Sequence, residues 1–116
     1  MTLLEKQQKF VLHVADLIIF ATAQGFGLSF GETFRSREEA ARLAALGLGI
    51  KSSLHTQRLA IDFNLFRDGQ YLTKTEDYRP LGEYWEAQSH PREYTCAWGG
   101  RFGDGGHFSI AHGGRR

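Results

Sequence analysis

The sequence predicts a small α+β domain, because segments with helical and with strand periodicity alternate along one short chain. Its 116 residues have the length of one domain and can bury a core without disulfide bonds. The first 25 residues have a helical pattern, and residues 59–66 form an apolar segment typical of a buried strand. We therefore expect a single domain over residues 1–116 that begins with a helix at 1–25.

The predicted N-terminal helix has a start signal, an apolar face and an end signal. Thr2 and Glu5 form a capping-box pattern, and Gly25 suits the position after the helix end. Residues that recur at helical spacing are Leu3, Phe10, Val14, Leu17, Ile18 and Ala21. This face fits packing on a core better than contact with a membrane. The apolar run 14–23 is too short to span a bilayer, contains Asp16 and precedes no convincing cleavage site.

The middle of the chain predicts a strand, a helix and a hairpin. Apolar and polar residues roughly alternate over 26–34, which favours a strand. Ser36 and Glu39 then form a second Ser-x-x-Glu start signal for a helix that ends at Gly47. The strong strand signal at 59–66 is followed by a turn, after which Tyr71 and Leu72 are expected to return as its partner.

The C-terminal part predicts one more helix and two short strands. Residues 77–88 have apolar residues at helical spacing, with Pro80 in the first turn. Short strands are expected at 95–98 and 108–111. Residues 112–116 are rich in glycine and arginine and are expected to be a solvated tail.

Composition excludes several classes of function. The formal net charge is +1, so electrostatics gives no support to nucleic-acid binding. Cys96 is the single cysteine and cannot form an internal disulfide. A catalytic thiol would need a histidine partner, and no histidine near Cys96 in the sequence suggests itself.

Two histidines and one aspartate form the candidate metal site: His55, Asp62 and His107. Catalytic zinc sites use three such ligands and leave a fourth position to water. Seven residues of straight strand would span about 23 Å, whereas ligands of one ion lie within roughly 4 Å of each other. The chain must therefore fold back across residues 56–58. Asp62 shares a strand face with Ala60 and Asn64, opposite the apolar core face.

The segment Asp104-Gly105-Gly106-His107 supplies the other half of the predicted site. Two glycines permit a tight turn that brings Asp104 and His107 into one small volume. Asp104 is then the candidate base that takes a proton from the attacking water. Phe108 is expected to point into the core and Ser109 to return to the site face.

These segments together resemble a known family of zinc peptidases, which includes D-alanyl-D-alanine carboxypeptidases and bacteriophage L-alanyl-D-glutamate endolysins. The resemblance covers roughly residues 28–110. The motifs that carry it are Thr33-Phe34-Arg35-Ser36 with Glu38-Glu39, Ser53-Leu54-His55, Ala60-Ile61-Asp62-Phe63, Trp98-Gly99-Gly100 and Asp104-Gly105-Gly106-His107-Phe108.

The resemblance implies an α+β fold with a small central antiparallel sheet flanked by helices, related to the hedgehog and lysostaphin zinc domains. It implies one Zn²⁺ held by His55, Asp62 and His107, with Asp104 as catalytic acid/base. Arg35 and Ser53 match substrate-binding positions, although Arg35 by itself is more typical of a surface residue at the end of a strand.

Two residues depart from the family pattern. Arg58 stands where many members have glycine, so the turn after His55 is expected to differ or to carry a charge toward the substrate. Ser109 stands where an acidic residue often follows the last ligand. The resemblance leaves any supporting role at that position in doubt.

The expected function is hydrolysis of the peptidoglycan stem peptide by a monomeric phage or prophage endolysin. Without a recognisable signal peptide, the protein is expected to be made in the bacterial cytoplasm and to reach the cell wall after release. A D-alanyl-D-alanine carboxypeptidase is the alternative enzyme. A non-catalytic zinc module that binds the wall is the alternative of another class.

Overall fold

The computed structural model, which describes residues 1–116, consists of three α-helices and a five-stranded antiparallel sheet. This architecture confirms the predicted α+β class. The helices are α1 (Leu3–Ala23), α2 (Arg37–Ala45) and α3 (Arg79–Ala87). The strands are β1 (Gly27–Phe30), β2 (Ala60–Arg67), β3 (Gln70–Leu72), β4 (Cys96–Trp98) and β5 (His107–Ile110).

The first two helices begin where their capping residues predict. The Glu5 amide donates to Thr2 Oγ1 at 3.1 Å, while the Thr2 amide donates to Glu5 Oε1 at 2.9 Å. The amide of Glu39 donates to Ser36 Oγ at 3.0 Å at the start of α2. Each bond satisfies a donor that the first helical turn leaves without a partner. No helix of the structure is both long enough and apolar enough to cross a lipid bilayer.

Two elements begin or end away from their predicted positions. β1 ends at Phe30, four residues earlier than expected, because Gly31 and Glu32 leave the regular ladder while still bonding to the backbone of Asp62. A Cβ on Gly31 would come within 3.0 Å of the Asp62 carbonyl oxygen. The third helix begins at Arg79, after a 3-10 turn over Thr75–Tyr78.

The sheet is organised around β2, the longest strand. The order is β1-β2-β5-β4, and β3 also pairs with β2 as the predicted hairpin. In the β2–β5 ladder Asp62 lies directly opposite His107. Strand pairing therefore brings two distant candidate ligands side by side.

The core lies between the sheet and the helices α1 and α3. Its largest fully buried side chains include Trp85, Trp98 and Phe108. The Trp98 indole packs on Gly82, where a Cβ would come within 2.1 Å of the ring. Trp98 Nε1 donates to the carbonyl of Gly105 at 2.8 Å, so the core holds the loop that carries Asp104.

Candidate metal centre

Three side chains from separate segments meet in the wall of one cavity. His55 comes from a 3-10 turn over Leu54–Gln57, Asp62 from β2 and His107 from β5. One donor atom from each residue can be chosen so that all lie within 4.8 Å of one another. The structure thus brings together the set that the sequence singled out.

His55 is positioned by the turn on which it lies. Its amide donates to Ser53 Oγ at 3.2 Å, so Ser53 caps this turn. Its Nδ1 donates to the carbonyl of Thr33 at 2.8 Å. This bond leaves Nε2 as the ligand atom, 3.4 Å from Asp62 Oδ2. In metal sites, a hydrogen bond from the ring nitrogen that does not bind the metal fixes the orientation of the imidazole.

His107 is positioned by the sheet. Its Nδ1 lies 3.0 Å from Asp62 Oδ1, and its ring centroid lies 5.3 Å from that of His55. Both rings are almost fully covered, with 3% of His55 and 9% of His107 exposed. Asp62 therefore stands between two imidazoles, each of which presents one nitrogen to it.

The electrostatics favour an ionised carboxylate at Asp62. Burial alone would raise the pKa of this carboxyl, but hydrogen bonds from His107 and His55 outweigh burial and lower the pKa to about 2. Burial lowers the pKa of His55, while its bonds to Asp62 and Thr33 raise it, and the net direction is upward. Two imidazoles and one carboxylate form a donor set that zinc accepts, with a fourth position open.

Asp104 lies in the same cavity as these three residues. Its amide donates to the carbonyl of Gly99 at 2.9 Å, and its carbonyl accepts from the amide of His107 at 3.2 Å. A Cβ on Gly99 would come within 2.3 Å of the Asp104 carbonyl oxygen, so this packing requires glycine. Burial raises the pKa of the Asp104 carboxyl. The fold therefore presents a second carboxyl, with raised basicity, beside the three donors.

The cavity that contains the four residues has a volume of about 290 Å³. Arg35 and Ser53, the predicted substrate-binding residues, both line it. Arg35 is ion-paired with Glu32, and Ser53 is buried with its hydroxyl engaged as the cap of the turn. A second cavity, of about 270 Å³, adjoins the first and shares Asp62 and Asp104 with it.

No signal in the sequence predicted that Glu32 contacts His55 and Arg35. Its Oε1 lies 3.7 Å from His55 Nδ1 and also pairs with Arg35. The sequence placed Glu32 inside a predicted strand, where nothing distinguished it from a surface residue. It becomes part of the site because β1 ends before it.

Residues 112–116, predicted to be a solvated tail, are exposed from Gly113 onward but form an ordered turn. Gly113 and Gly114 adopt φ of +58° and +79°, and paired backbone bonds join His112 to Arg115 across them. This geometry is a two-residue hairpin turn that glycine favours. Arg115 and Arg116 are exposed at the chain end but line the first cavity.

Three other expectations were tested by burial and position. Arg58 does not face the site: its guanidinium lies 4.1 Å from the centre of the Phe34 ring, outside both cavities. Ser109 follows His107 by two residues on β5 and so shares its sheet face, but it is fully buried between β2 and β4 and lines neither cavity. Burial raises the pKa of the Cys96 thiol to about 12, which agrees with a structural cysteine.

Comparison with known proteins supports the fold. No protein-family model and no curated relative matches this chain. The fold is similar to that of a solved structure of the vancomycin-resistance D,D-pentapeptidase VanY from a VanB-type resistance cassette, in complex with Zn(II). The two share 19% identity and a TM-score of 0.53, over 90% of this chain and 71% of the other. This likeness confirms the fold expected from the resemblance.

Proposed function

We propose that this protein is a zinc-dependent peptidase that hydrolyses an amide bond of the peptidoglycan stem peptide. The observation that carries the proposal is the meeting of His55, Asp62 and His107 within 4.8 Å, with Asp104 in the same cavity. The fold of VanY, a D,D-pentapeptidase solved with Zn(II), supports both the metal and the class of substrate.

The residues present fit zinc by their chemistry. His55 Nε2, His107 Nδ1 and the Asp62 carboxylate would hold the ion, because their donor atoms already face one point. A structural zinc site would normally have a fourth protein ligand. The described cluster has three, which supports a catalytic site over a non-catalytic binding module.

The mechanism assigns separate tasks to the chain's own residues. Zinc, when bound, would polarise the scissile carbonyl and acidify a water molecule. Asp104 accepts a proton from the attacking water and returns it to the leaving amine. Its raised pKa makes the carboxylate a stronger base. The protonated carboxyl also keeps its proton more readily until the amine departs. Arg35 binds a carboxylate of the substrate beside the reacting bond.

Two bonds of the stem peptide are candidates. We assign the L-Ala–D-Glu bond, the target of phage endolysins, because two separate cavities are lined by Asp62 and Asp104. A peptide chain could thus continue in both directions from the reacting bond, as an endopeptidase requires. The likeness to a D,D-pentapeptidase favours the D-Ala–D-Ala bond as the second candidate.

Digestion of purified peptidoglycan tests this proposal. The zinc-loaded protein is incubated with cell-wall sacculi, and the released muropeptides are identified by mass spectrometry. We expect new fragments that begin with D-Glu and glycan strands that keep L-Ala. Loss of terminal D-Ala instead would establish the carboxypeptidase alternative. Tight binding to the wall with no fragment released would overturn the enzyme and support the binding module.

A further inference from the structure

The rim of the cavity carries a cation that the proposed mechanism does not use. Arg115 returns to this rim because the Gly113-Gly114 turn reverses the chain. Lys6 Nζ lies 3.1 Å from His112 Nδ1 and donates to the carbonyl of Ala111 at 3.4 Å, so the base of the turn is also tied to α1. The end of the turn therefore has a defined place beside the site.

Arg115 differs from the other arginines that bond to nearby side chains. Four arginines are ion-paired within the chain: Arg35, Arg42, Arg79 and Arg101. Arg115 has no carboxylate partner, and its Nε donates to the hydroxyl of Ser52 at 2.9 Å. This single neutral contact orients the guanidinium and leaves its two terminal nitrogens available to a ligand.

The two adjoining cavities differ in charge. The first carries Arg35, Arg115 and Arg116 on its rim. The second has no basic residue, and apart from the shared carboxylates its polar side chains are neutral: Asn64, Tyr71, Thr73, Thr75 and Tyr78. A substrate that lies across both would be bound with its anionic part in the first cavity and its neutral part in the second.

We propose that Arg115 is a specificity-determining residue that binds a second carboxylate of the substrate, next to the one bound by Arg35. This inference rests on the proposed function. In an L-Ala–D-Glu substrate, the α-carboxylate of D-Glu lies directly after the reacting bond, and the following residues add a further carboxylate. Amidation of D-Glu to D-isoglutamine would remove one of these charges while keeping the shape of the peptide.

A matched pair of peptides tests the inference. The substrates are N-acetyl-L-alanyl-γ-D-glutamyl-L-lysine and its D-isoglutamine counterpart, each assayed with zinc-loaded wild type, Arg115→Ala, Arg115→Lys and Arg37→Ala. Arg37 is an exposed arginine outside both cavities and controls for net charge. We expect Arg115→Ala to raise KM for the acidic peptide about tenfold, the size of one charge-assisted hydrogen bond. Its kcat and its zinc content should stay at the wild-type level.

The remaining variants separate binding from folding. Arg115→Lys should keep part of the preference for the acidic peptide, and Arg37→Ala should keep all of it. An unchanged preference in Arg115→Ala would overturn the inference while leaving the proposed function intact. If the wild type cleaves neither peptide, the L-Ala–D-Glu assignment falls. Calorimetric titration of the same zinc-loaded proteins then tests Arg115 alone, and equal affinity of wild type and Arg115→Ala for the acidic peptide would contradict it.

Discussion

The candidate site has one half built on the sheet and one half built on turns. Asp62 and His107 face each other in the β2–β5 ladder, where their Cα atoms are register partners. His55, Arg35 and Arg115 lie on a 3-10 turn, a loop and a terminal hairpin turn. Strand pairing places the backbones of the first pair side by side, whereas His55 and Arg115 are each held by single hydrogen bonds to distant residues.

The two halves supply different groups to the site. The sheet half holds the donors that must keep one geometry for a metal ion. The turn half adds the third donor and two arginines that line the cavity. Substitution of any of the three donors should therefore abolish function, whereas substitution of the two arginines on the turns should change selectivity by smaller amounts.

The largest effect is expected from His107→Ala. Removing this imidazole leaves two donors, too few for a zinc site of the three-ligand kind. We expect loss of both bound zinc and peptidoglycan hydrolysis, measured by elemental analysis and by muropeptide release. His90→Ala is the control, because His90 lies outside the cluster and should retain both properties. Full activity in His107→Ala would remove it from the metal site.

Asp104→Ala should separate chemistry from metal binding. Asp104 lines the cavity but does not belong to the three-donor cluster. Loss of a general acid/base lowers the rate by about 10² to 10⁴-fold, so kcat should fall in that range while zinc content stays at one ion per chain. A variant that loses its zinc along with its activity would show that Asp104 acts as a ligand instead.

Gly82→Ala tests the packing that supports the loop of Asp104. A Cβ at this position would lie 2.1 Å from the Trp98 ring, and Trp98 holds the loop of Asp104 through Gly105. Overpacking of this kind costs about 1–3 kcal/mol of unfolding free energy, measurable by denaturant titration. Gly27→Ala is the matched control, because its added Cβ would meet Phe66 at an ordinary 3.6 Å. Equal stability of the two variants would contradict the packing described.

Arg58→Gly should have the smallest effect. Arg58 holds φ of +55°, so glycine would relieve about 1 kcal/mol of left-handed strain. The same change removes the contact of its guanidinium with the Phe34 ring, worth about 0.5–1 kcal/mol when exposed. The two effects nearly cancel, so we expect an unfolding free energy and a kcat/KM close to wild type. A large loss of kcat/KM would mean that Arg58 reaches the substrate after all.

The elements that the sequence predicts well are those with local signals. The start of α1 at Thr2, the start of α2 at Ser36 and the strand around Asp62 each follow from capping or periodicity. The convergence of His55, Asp62 and His107 came from a family resemblance and donor chemistry, since no local pattern encodes contacts between residues 45 positions apart.

The elements that escaped prediction depend on long-range placement. Glu32 reaches His55 only because β1 ends at Phe30. Arg115 reaches the cavity only because the turn before it reverses the chain toward Ser52. The two glycines of that turn were visible in the sequence, and their spacing is a hairpin signal that a tail interpretation overlooked.

Diffraction at the zinc absorption edge, from crystals of the zinc-loaded protein, tests the central claim most directly. We predict one anomalous peak per chain, at about 2 Å from His55 Nε2, the Asp62 carboxylate and His107 Nδ1. A well-folded protein whose zinc peak lies away from these three atoms, or that binds no zinc at all, would contradict the account.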